Sequence, residues 1–550
     1  MSVQARGVVW SLVAVMACGS PSTPSVEENP AAQRKGRSKA KAKTRGKAGR
    51  TAEADAPKIP KGEAPDGAPN VLVVVMDTTR ADHLTPYGYG LDTTPKLQDF
   101  AKGGVVYERA VSPGMWTLPS HASIFTGLPV REHGANAQNK WLDDAHVTMA
   151  EWFGQKGWDT WLFSANPYLQ SHTNLTQGFD GAAYPWDNTW KGKAKRATMD
   201  KLLDNDASNA LGPAWKQTTY PTGRANDQVK DAGPVAAEAL FDWVDGREAQ
   251  SRPWLAVVNY MEAHVPRIPS QASREALFDQ ATIDKQLSLD QAFPFLLAYT
   301  VQKHEFEPDE IATIASTYDA SLRDLDDAVG AVFEGLASRK MLDNTIVVVT
   351  ADHGEHLGEH HRIGHKYSVY NPLVRVPLIV RYPSSLEAGR VDRVVSTLDI
   401  FGTVTDLAGI DLPDGTRSQS LRTAREPAEA VSELIAATPT ALKRISKVHK
   451  DLDWDPWLKT YISVETDGAK CIRRSDGHTE LYDVPTDPLE TADVSTRDAK
   501  TTETVCGRID HFTEVTTTYQ ASGEAKREAK PLDPEVMSRL EALGYLQEEP

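Results

Sequence analysis

The sequence predicts an α/β fold: a mostly parallel β-sheet sandwiched by helices, followed by a smaller C-terminal α+β subdomain. Three observations predict it. Apolar runs of strand length recur at wide intervals from residue 69 onward, helical periodicity fills the intervals, and beyond about residue 430 the pattern changes to short strands separated by turns. With 550 residues, 40% of them apolar, the chain can bury one large core and an appendage.

The runs are "NVLVVVMD" (70–77), "WDTWLFSAN" (158–166), "PWLAVVNYMEAH" (253–264), "NTIVVVTADHG" (344–354) and "VPLIVRYP" (376–383). Runs so evenly apolar suit strands covered on both faces, as in parallel sheets. Helices are expected at Thr94–Lys102, Pro119–Thr126, Ala145–Gln155, Pro234–Gly246 and Asp309–Lys340. The longest repeats apolar residues every three or four places in "IATIASTYDASLRDLDDAVGAVFEGLA". Residues 187–231, polar and rich in Lys, Asp and Asn, read as a surface insertion, a lid on the substrate side. "TYISVETDGAKCIRRSDGHTELYDVPTDP" reads as strand, Asp-Gly turn, strand, turn, strand, and "DPEVMSRLEALGYL" as a short closing helix. The expected divisions are 1–18, 19–68, 69–430 and 431–550.

The first two divisions concern export. After Arg6 comes "GVVWSLVAVMAC", too short to span a bilayer and built like a secretory signal. Val15-Met16-Ala17-Cys18 resembles a bacterial lipobox, which implies lipidation at Cys18 and a membrane-anchored protein, periplasmic or at the cell surface. An ordinary cleaved signal exports the chain equally. Residues 19–68 form a Pro/Ala-rich tether with nine Lys or Arg and no acid between 31 and 50. Because the whole chain carries −16, the folded part is strongly acidic, which argues against a nucleic-acid groove but not against a small anion held by a local cluster. Cys471 and Cys506 remain after the signal segment; one disulfide suits an exported chain, and sequence does not decide the pairing.

Ligands in open α/β sheets bind beyond the carboxyl ends of the strands. There the first run ends in Asp77, the fourth in Asp352 and His353, and the third in His264. Two acids and an imidazole suit a hard-to-borderline divalent ion. Thr117 in "MWTLPSHASIFTG" completes the set: a hydroxyl at a helix N-terminus gains from the dipole when it ionises, with Pro119 expected to open the helix. A divalent ion lowers the pKa of such an oxygen, so the threonine reads as a nucleophile.

"NVLVVVMDTTRADHLTPYGY", "WTLPSHASIFTGLPVREHG", "VVVTADHGEHLGEH", "KYSVYNPLVRVPLIVRYP" and "ELYDVPTDPLE", in that order, make the chain resemble the sulfatase family of the alkaline-phosphatase-like superfamily from about residue 69 to 550. The resemblance implies a large α/β active-site domain and a small domain with an antiparallel sheet. It also implies one divalent ion at Asp77, Asp352 and His353, with Thr117 at the nucleophile position; the resemblance points to Ca2+, whereas two carboxylates, an imidazole and the Thr117 alkoxide fit Mn2+ or Zn2+ on ligand softness. Lys366 then meets the transferred group and His264 the leaving-group oxygen, while His121 stands where the motif has arginine and either binds the substrate anion or fills the arginine's space.

The departures bear on chemistry. The family's C/S-x-P-x-R is T-x-P-x-H here, and oxidising a secondary alcohol gives a ketone, so no formylglycine is expected. The family's K-x-H is replaced by Ser164-Ala165-Asn166, with Asn166 as a polar substitute. A threonyl sulfate lacks the aldehyde hydrate's release route, whereas water opens a threonyl phosphate by in-line attack. A phosphoric mono- or diester is therefore the favoured substrate. The alternatives are a sulfuric ester, a phosphoglycerol- or phosphoethanolamine-type transfer, and an inactive scaffold binding anions or glycans. Arg80 is expected to brace the acids and Trp186, Trp190 and Trp215 to pack. His356, His360, His361 and His365 crowd one loop without a metal-binding spacing.

If Cys18 carries the anchor, Cys18→Ala moves the protein from the membrane fraction to the soluble fraction on cell fractionation; unchanged membrane retention rules the anchor out.

Overall fold

Strand β1 (Asn70–Met76) is the axis of the fold, because six consecutive apolar residues rich in β-branched valine must be covered on both faces. The computed structural model describes residues 61–207, 232–291, 293–435, 439–520 and 533–542. The signal segment with Cys18, the basic tether as far as residue 60, and residues 208–231 with Trp215 lie outside the described residues.

The other strands are β2 (Val105–Val111), β3 (Asp159–Ser164), β4 (Gly181–Ala183), β5 (Trp254–Tyr260), β6 (Thr345–Thr350), β7 (His356–Leu357), β8 (Ile363–Gly364), β9 (Arg375–Arg381), β10 (Gly389–Ser396), β11 (Glu429–Leu434), β12 (Tyr461–Thr466), β13 (Lys470–Arg474) and β14 (Thr479–Tyr482). Eight of them form one sheet in the order β10-β2-β9-β6-β1-β5-β3-β4. β1 pairs in parallel with both β5 and β6, so Val73 lies beside Val257 and Val348 in an unbroken apolar layer. Burying each such side chain contributes about 1.5–3 kcal/mol.

One strand departs from expectation. β9, the "VPLIVRYP" run, is antiparallel to both of its neighbours, β2 and β6. A parallel return needs a crossover, usually a helix. The 24-residue segment between Thr350 and Arg375 instead holds the β7–β8 hairpin and short turns, so the chain re-enters the sheet from the edge at which it left. β2, β4 and β10 were not legible as strands, nor were the helices Gln271–Leu277, Gln280–Ser288, Phe293–Thr300, Ile400–Ala408, Pro439–Ser446 and Ala499–Val515.

The expected helices form with shifted ends. Met149–Gln155 starts later than predicted, at a capping box of Thr148 and Glu151. Pro308–Ser338 starts at a box of Glu307 and Glu310. The short helix runs Thr117–Thr126, all ten residues buried, so Thr117 and not Pro119 is its first residue. Proline is tolerated in that turn because the first N–H with an intrahelical partner belongs to Ser120, bonded to the Trp116 carbonyl at 3.3 Å. Lys191–Ala207 of the expected surface insertion is helical. Trp190 is buried and Trp186 stacks on Tyr184 under Arg539, both packing roles. Among the described residues no helix is long and apolar enough to cross a membrane. Packing starts before residue 69: Lys61 reaches Asp159 at 2.7 Å, and the Gly62 N–H bonds the Gln155 carbonyl.

The antiparallel sheet β11-β12-β13-β14 forms the C-terminal part; β12, β13 and β14 are the three strands that the turn pattern predicted, and β11 is a fourth that it did not. It is tied to the loop after β2, with Ser432 Oγ donating to the Ser112 carbonyl at 2.6 Å. Fully buried Lys470 pairs with Glu490 at 2.7 Å and donates to the Val369 carbonyl and Asn371 Oδ1, both at 2.8 Å. Cys471 and Cys506 form a disulfide, Cα–Cα 5.3 Å, joining β13 to the Ala499–Val515 helix across 35 residues. Closing a loop of that length stabilises by about 4 kcal/mol in the chain-entropy model. Cys471→Ala with Cys506→Ala should therefore lower the unfolding free energy of this region by that order, read from the urea midpoint in pulse proteolysis; an unchanged midpoint contradicts it.

Candidate metal centre

The sheet register assembles the site. Asp77 is the first residue past β1, where its N–H still bonds the Tyr260 carbonyl at 3.0 Å. Asp352 and His353 follow β6, the neighbour of β1. One ligand atom each from Asp77, Asp352 and His353 lies within 4.8 Å of the others, all buried. His353 Nε2 is 3.7 Å from Asp77 Oδ1 and 3.4 Å from Asp352 Oδ2. The His353 Nδ1–H donates to the Gly354 carbonyl at 2.9 Å, a tautomer that leaves the Nε2 lone pair toward the two acids.

Thr117 follows β2, which is separated from β6 by β9 alone and, like β6, runs antiparallel to it, so all four residues leave from the same end of the sheet. Its hydroxyl hydrogen-bonds the Asp352 carboxyl. Asn166, just past β3, donates through Nδ2 to Asp77 Oδ2 at 2.7 Å and to Thr117 Oγ1 at 3.1 Å. One amide thus spans an acid and the hydroxyl, in the place where the family's K-x-H would stand. The four residues expected to share an ion are together.

The electrostatics explain why the arrangement needs a cation. Burial, reinforced by the neighbouring Asp352 charge, pushes the Asp77 carboxyl up to about 8. Burial pushes Asp352 up to about 7, against hydrogen bonds that pull it down. Burial lowers His353. Asp77 Oδ1, Asp352 Oδ2 and His353 Nε2 are buried atoms without a hydrogen-bond partner. Three orphaned donor atoms converging among desolvated acids fit a divalent ion of the hard-to-borderline kind.

The remaining expected residues divide. His264 follows β5, its Nδ1–H donating to the Val265 carbonyl at 2.5 Å, its ring 5.0 Å from that of His365. Lys366 Nζ lies 5.7 Å from the Phe293 ring centroid, and burial lowers its ammonium to about 8. His121 is buried beside the acids. Burial drives its imidazole down to about 3, so it is neutral, and its Nδ1–H donates to the Thr117 carbonyl at 2.9 Å beside Asp352 Oδ2 at 3.4 Å. That neutrality accords with the expected alternative in which it fills the arginine's space. Arg80 ties Asp82, Glu359 and the Glu355 carbonyl and not the two site acids.

The histidine-rich loop diverges instead of forming a second cluster. His356 bonds Ser368, His360 stacks on Tyr370, and His361 stacks on Tyr299. His365 turns toward His353: Nδ1 meets Glu355 Oε2 at 2.8 Å, and its ring is 4.6 Å from that of His353. Glu355 also meets Arg267 at 3.2 Å. Sequence reading missed this Arg267–Glu355–His365 group, although Glu355 stands two places after His353.

The sulfatase family model matches residues 69–410, more than half of the chain. The chain belongs to the sulfatase family. An N-acetylglucosamine-6-O-sulfatase of Bacteroides thetaiotaomicron is 24% identical over 77% of this chain and 82% of its own length. Arylsulfatase K of Mus musculus is 24% identical over 78% of this chain and 76% of its own. A phosphonate monoester hydrolase of Agrobacterium radiobacter superposes with a TM-score of 0.60 at 19% identity, covering 81% of this chain and 95% of that one. A protein solved with its substrate D-glucosamine-2-N,6-O-disulfate gives 0.60 at 17% identity, covering 81% and 98%. The chain is thus a sulfatase-family ester hydrolase, and members of the family are metal-dependent.

The raised carboxyls fix a pH dependence. Between about pH 4 and pH 8 the folded metal-free protein holds protons on Asp77 and Asp352 that the unfolded chain has lost, so this pair's contribution to stability falls as pH rises. Adding Mn2+ should raise the melting temperature more at pH 8 than at pH 6 and release protons into a weakly buffered solution. Asp77→Asn should abolish the gain; a gain independent of pH and of Asp77 contradicts the site.

Proposed function

We propose that the protein is a metal-dependent hydrolase that cleaves an anionic ester through Thr117, with a phosphoric mono- or diester as the favoured substrate. The observation carrying this reading is the buried Thr117 hydroxyl at the head of its helix, hydrogen-bonded to both Asn166 and Asp352. The N-cap position of that helix belongs to Trp116, so Thr117 is not its cap residue.

Asp77, Asp352, His353 and Thr117 would hold one divalent ion, which supplies positive charge that lowers the pKa of the hydroxyl and neutralises the ester's anionic oxygens. Thr117 gives up its acidified hydroxyl proton to solvent, its Oγ attacks phosphorus in line, the P–O bond to the leaving alcohol breaks, and the phosphoryl group passes to the threonine. Asn166 Nδ2 orients the attacking oxygen. His264 delivers the proton to the departing oxygen. The Lys366 ammonium, largely charged at pH 7 with its pKa near 8, steadies the equatorial oxygens. Water then attacks phosphorus and breaks its bond to Thr117 Oγ, releasing phosphate from a monoester or a phosphate monoester from a diester and restoring the hydroxyl. A second reading, hydrolysis of a sulfuric ester on a glycan without formylglycine, draws support from the names of the sulfatase relatives.

We also read the chain as exported and lipid-anchored. The Cys471–Cys506 disulfide supports an oxidising compartment, and the lipobox-like segment supports the anchor.

With Mn2+, Zn2+ or Ca2+ supplied, p-nitrophenyl phosphate or bis-p-nitrophenyl phosphate should turn over. Thr117→Ala should cost on the order of a thousand-fold in kcat/KM, while Thr117→Ser, which keeps an oxygen, should lose about tenfold or less. Turnover of p-nitrophenyl sulfate alone, lost in Thr117→Ala, favours the second reading. Anion binding without turnover, indifferent to Asp77→Ala, marks an inactive scaffold.

A further inference from the structure

Thr78, the residue after Asp77, has φ +57°, a conformation that a β-branched residue adopts only under constraint. The constraint is visible. Tyr318, fully buried on the Pro308–Ser338 helix, donates its hydroxyl proton to the Thr78 carbonyl at 2.9 Å and accepts from the Arg80 N–H at 2.9 Å. The same phenol oxygen therefore spans the turn from the far side. On the near side the Thr78 N–H points at Asp352 Oδ1, 3.4 Å away. The Tyr318 ring is itself held, with the Arg267 guanidinium 5.0 Å from its centroid and His83 edge-on at 5.3 Å.

We propose that Tyr318 is a positioning residue for the metal centre: its hydroxyl locks the Asp77–Arg80 turn in the left-handed conformation that presents Asp77 and the Thr78 amide to Asp352. Without that lock, Thr78 relaxes toward ordinary φ, and the peptide planes on either side of it rotate. Asp77 then leaves its place beside Asn166, and Asp352 loses the Thr78 N–H. The inference rests on the divalent-ion reading of the site for its consequence, but the backbone lock itself is measurable without any ion.

The test uses full-length protein with Tyr318→Phe, which keeps the ring and removes the oxygen, and Thr78→Gly, because glycine takes positive φ without strain. In metal-free protein, hydrogen exchange of the segment 77–82 should quicken at least tenfold in Tyr318→Phe and return toward the parent rate in the double variant. Calorimetric Mn2+ titration should show Kd weakened tenfold or more in Tyr318→Phe and restored to within threefold by added Thr78→Gly. Thr78→Gly alone should leave Kd within threefold of the parent. A purely structural tyrosine predicts a lower melting temperature with unchanged exchange in 77–82 and no rescue by glycine, and that result overturns the proposal. If Tyr318→Phe does not fold, folding and Mn2+ binding by the double variant support the proposal, and failure of both variants overturns it. Should the parent protein take up no Mn2+, the ion reading of the site fails, and the exchange and rescue data alone decide the role of Tyr318.

Discussion

Two carboxylates placed side by side in a desolvated corner are the constraint on which the rest of the structure depends. Asp77 and Asp352 are there because β1 and β6 are neighbours in register and each ends in an acid. The strands are neighbours because their valine runs leave no face fit for water. Such a pair is costly without compensation, as the raised carboxyl pKa values express. Surrounding residues supply part of the compensation: the Asn166 amide, the Thr78 and His353 N–H groups, and the Thr117 hydroxyl. The atoms left without partners define where a cation belongs.

Much of this was legible in the sequence because its signals are local and strong. Asp77, Asp352 and His353 close apolar runs, and the end of a central strand is where α/β proteins put their ligands. Thr117 was legible from its proline and helix context, although the helix begins two residues earlier than the proline suggested. What the sequence concealed depends on pairing across long separations. Nothing in "VPLIVRYP" says which way the strand runs, since a fully buried strand has the same composition in either direction. The short edge strand β4 and the half-exposed β10 lack the composition of a core strand altogether. The neutrality of His121 was equally invisible, because a histidine's charge is set by burial and partners, not by its place in a motif. His365 and Lys366 are adjacent in sequence, yet one turns onto Glu355 and the other lies against Phe293, a division that only coordinates supply.

The antiparallel C-terminal sheet does more than cap the chain. Its Lys470, wholly removed from water, is matched by Glu490 and by two oxygens of the segment 369–371. Removing one partner from such a pair leaves an uncompensated buried charge, typically 3–5 kcal/mol destabilising. The small sheet and the active-site loop are therefore joined by a contact that tolerates neither half alone. Ser432 makes a second tie, to the loop after β2 that leads into the Thr117 helix. Both ties run from the small sheet to segments that carry proposed catalytic groups.

The reversed direction of β9 has a consequence for how this protein can be altered. The segment carrying Asp352, His353, Glu355, His365 and Lys366 has its two stems hydrogen-bonded to each other, Thr350 opposite Leu378, so it is a closed span with no slack at either foot. Insertions or deletions beside Asp352, His353 or Lys366 within that span would shift those side chains. The turn joining β9 to β10 leaves from the opposite edge of the sheet, remote from these groups, and is the natural place to graft a tag or lengthen the chain.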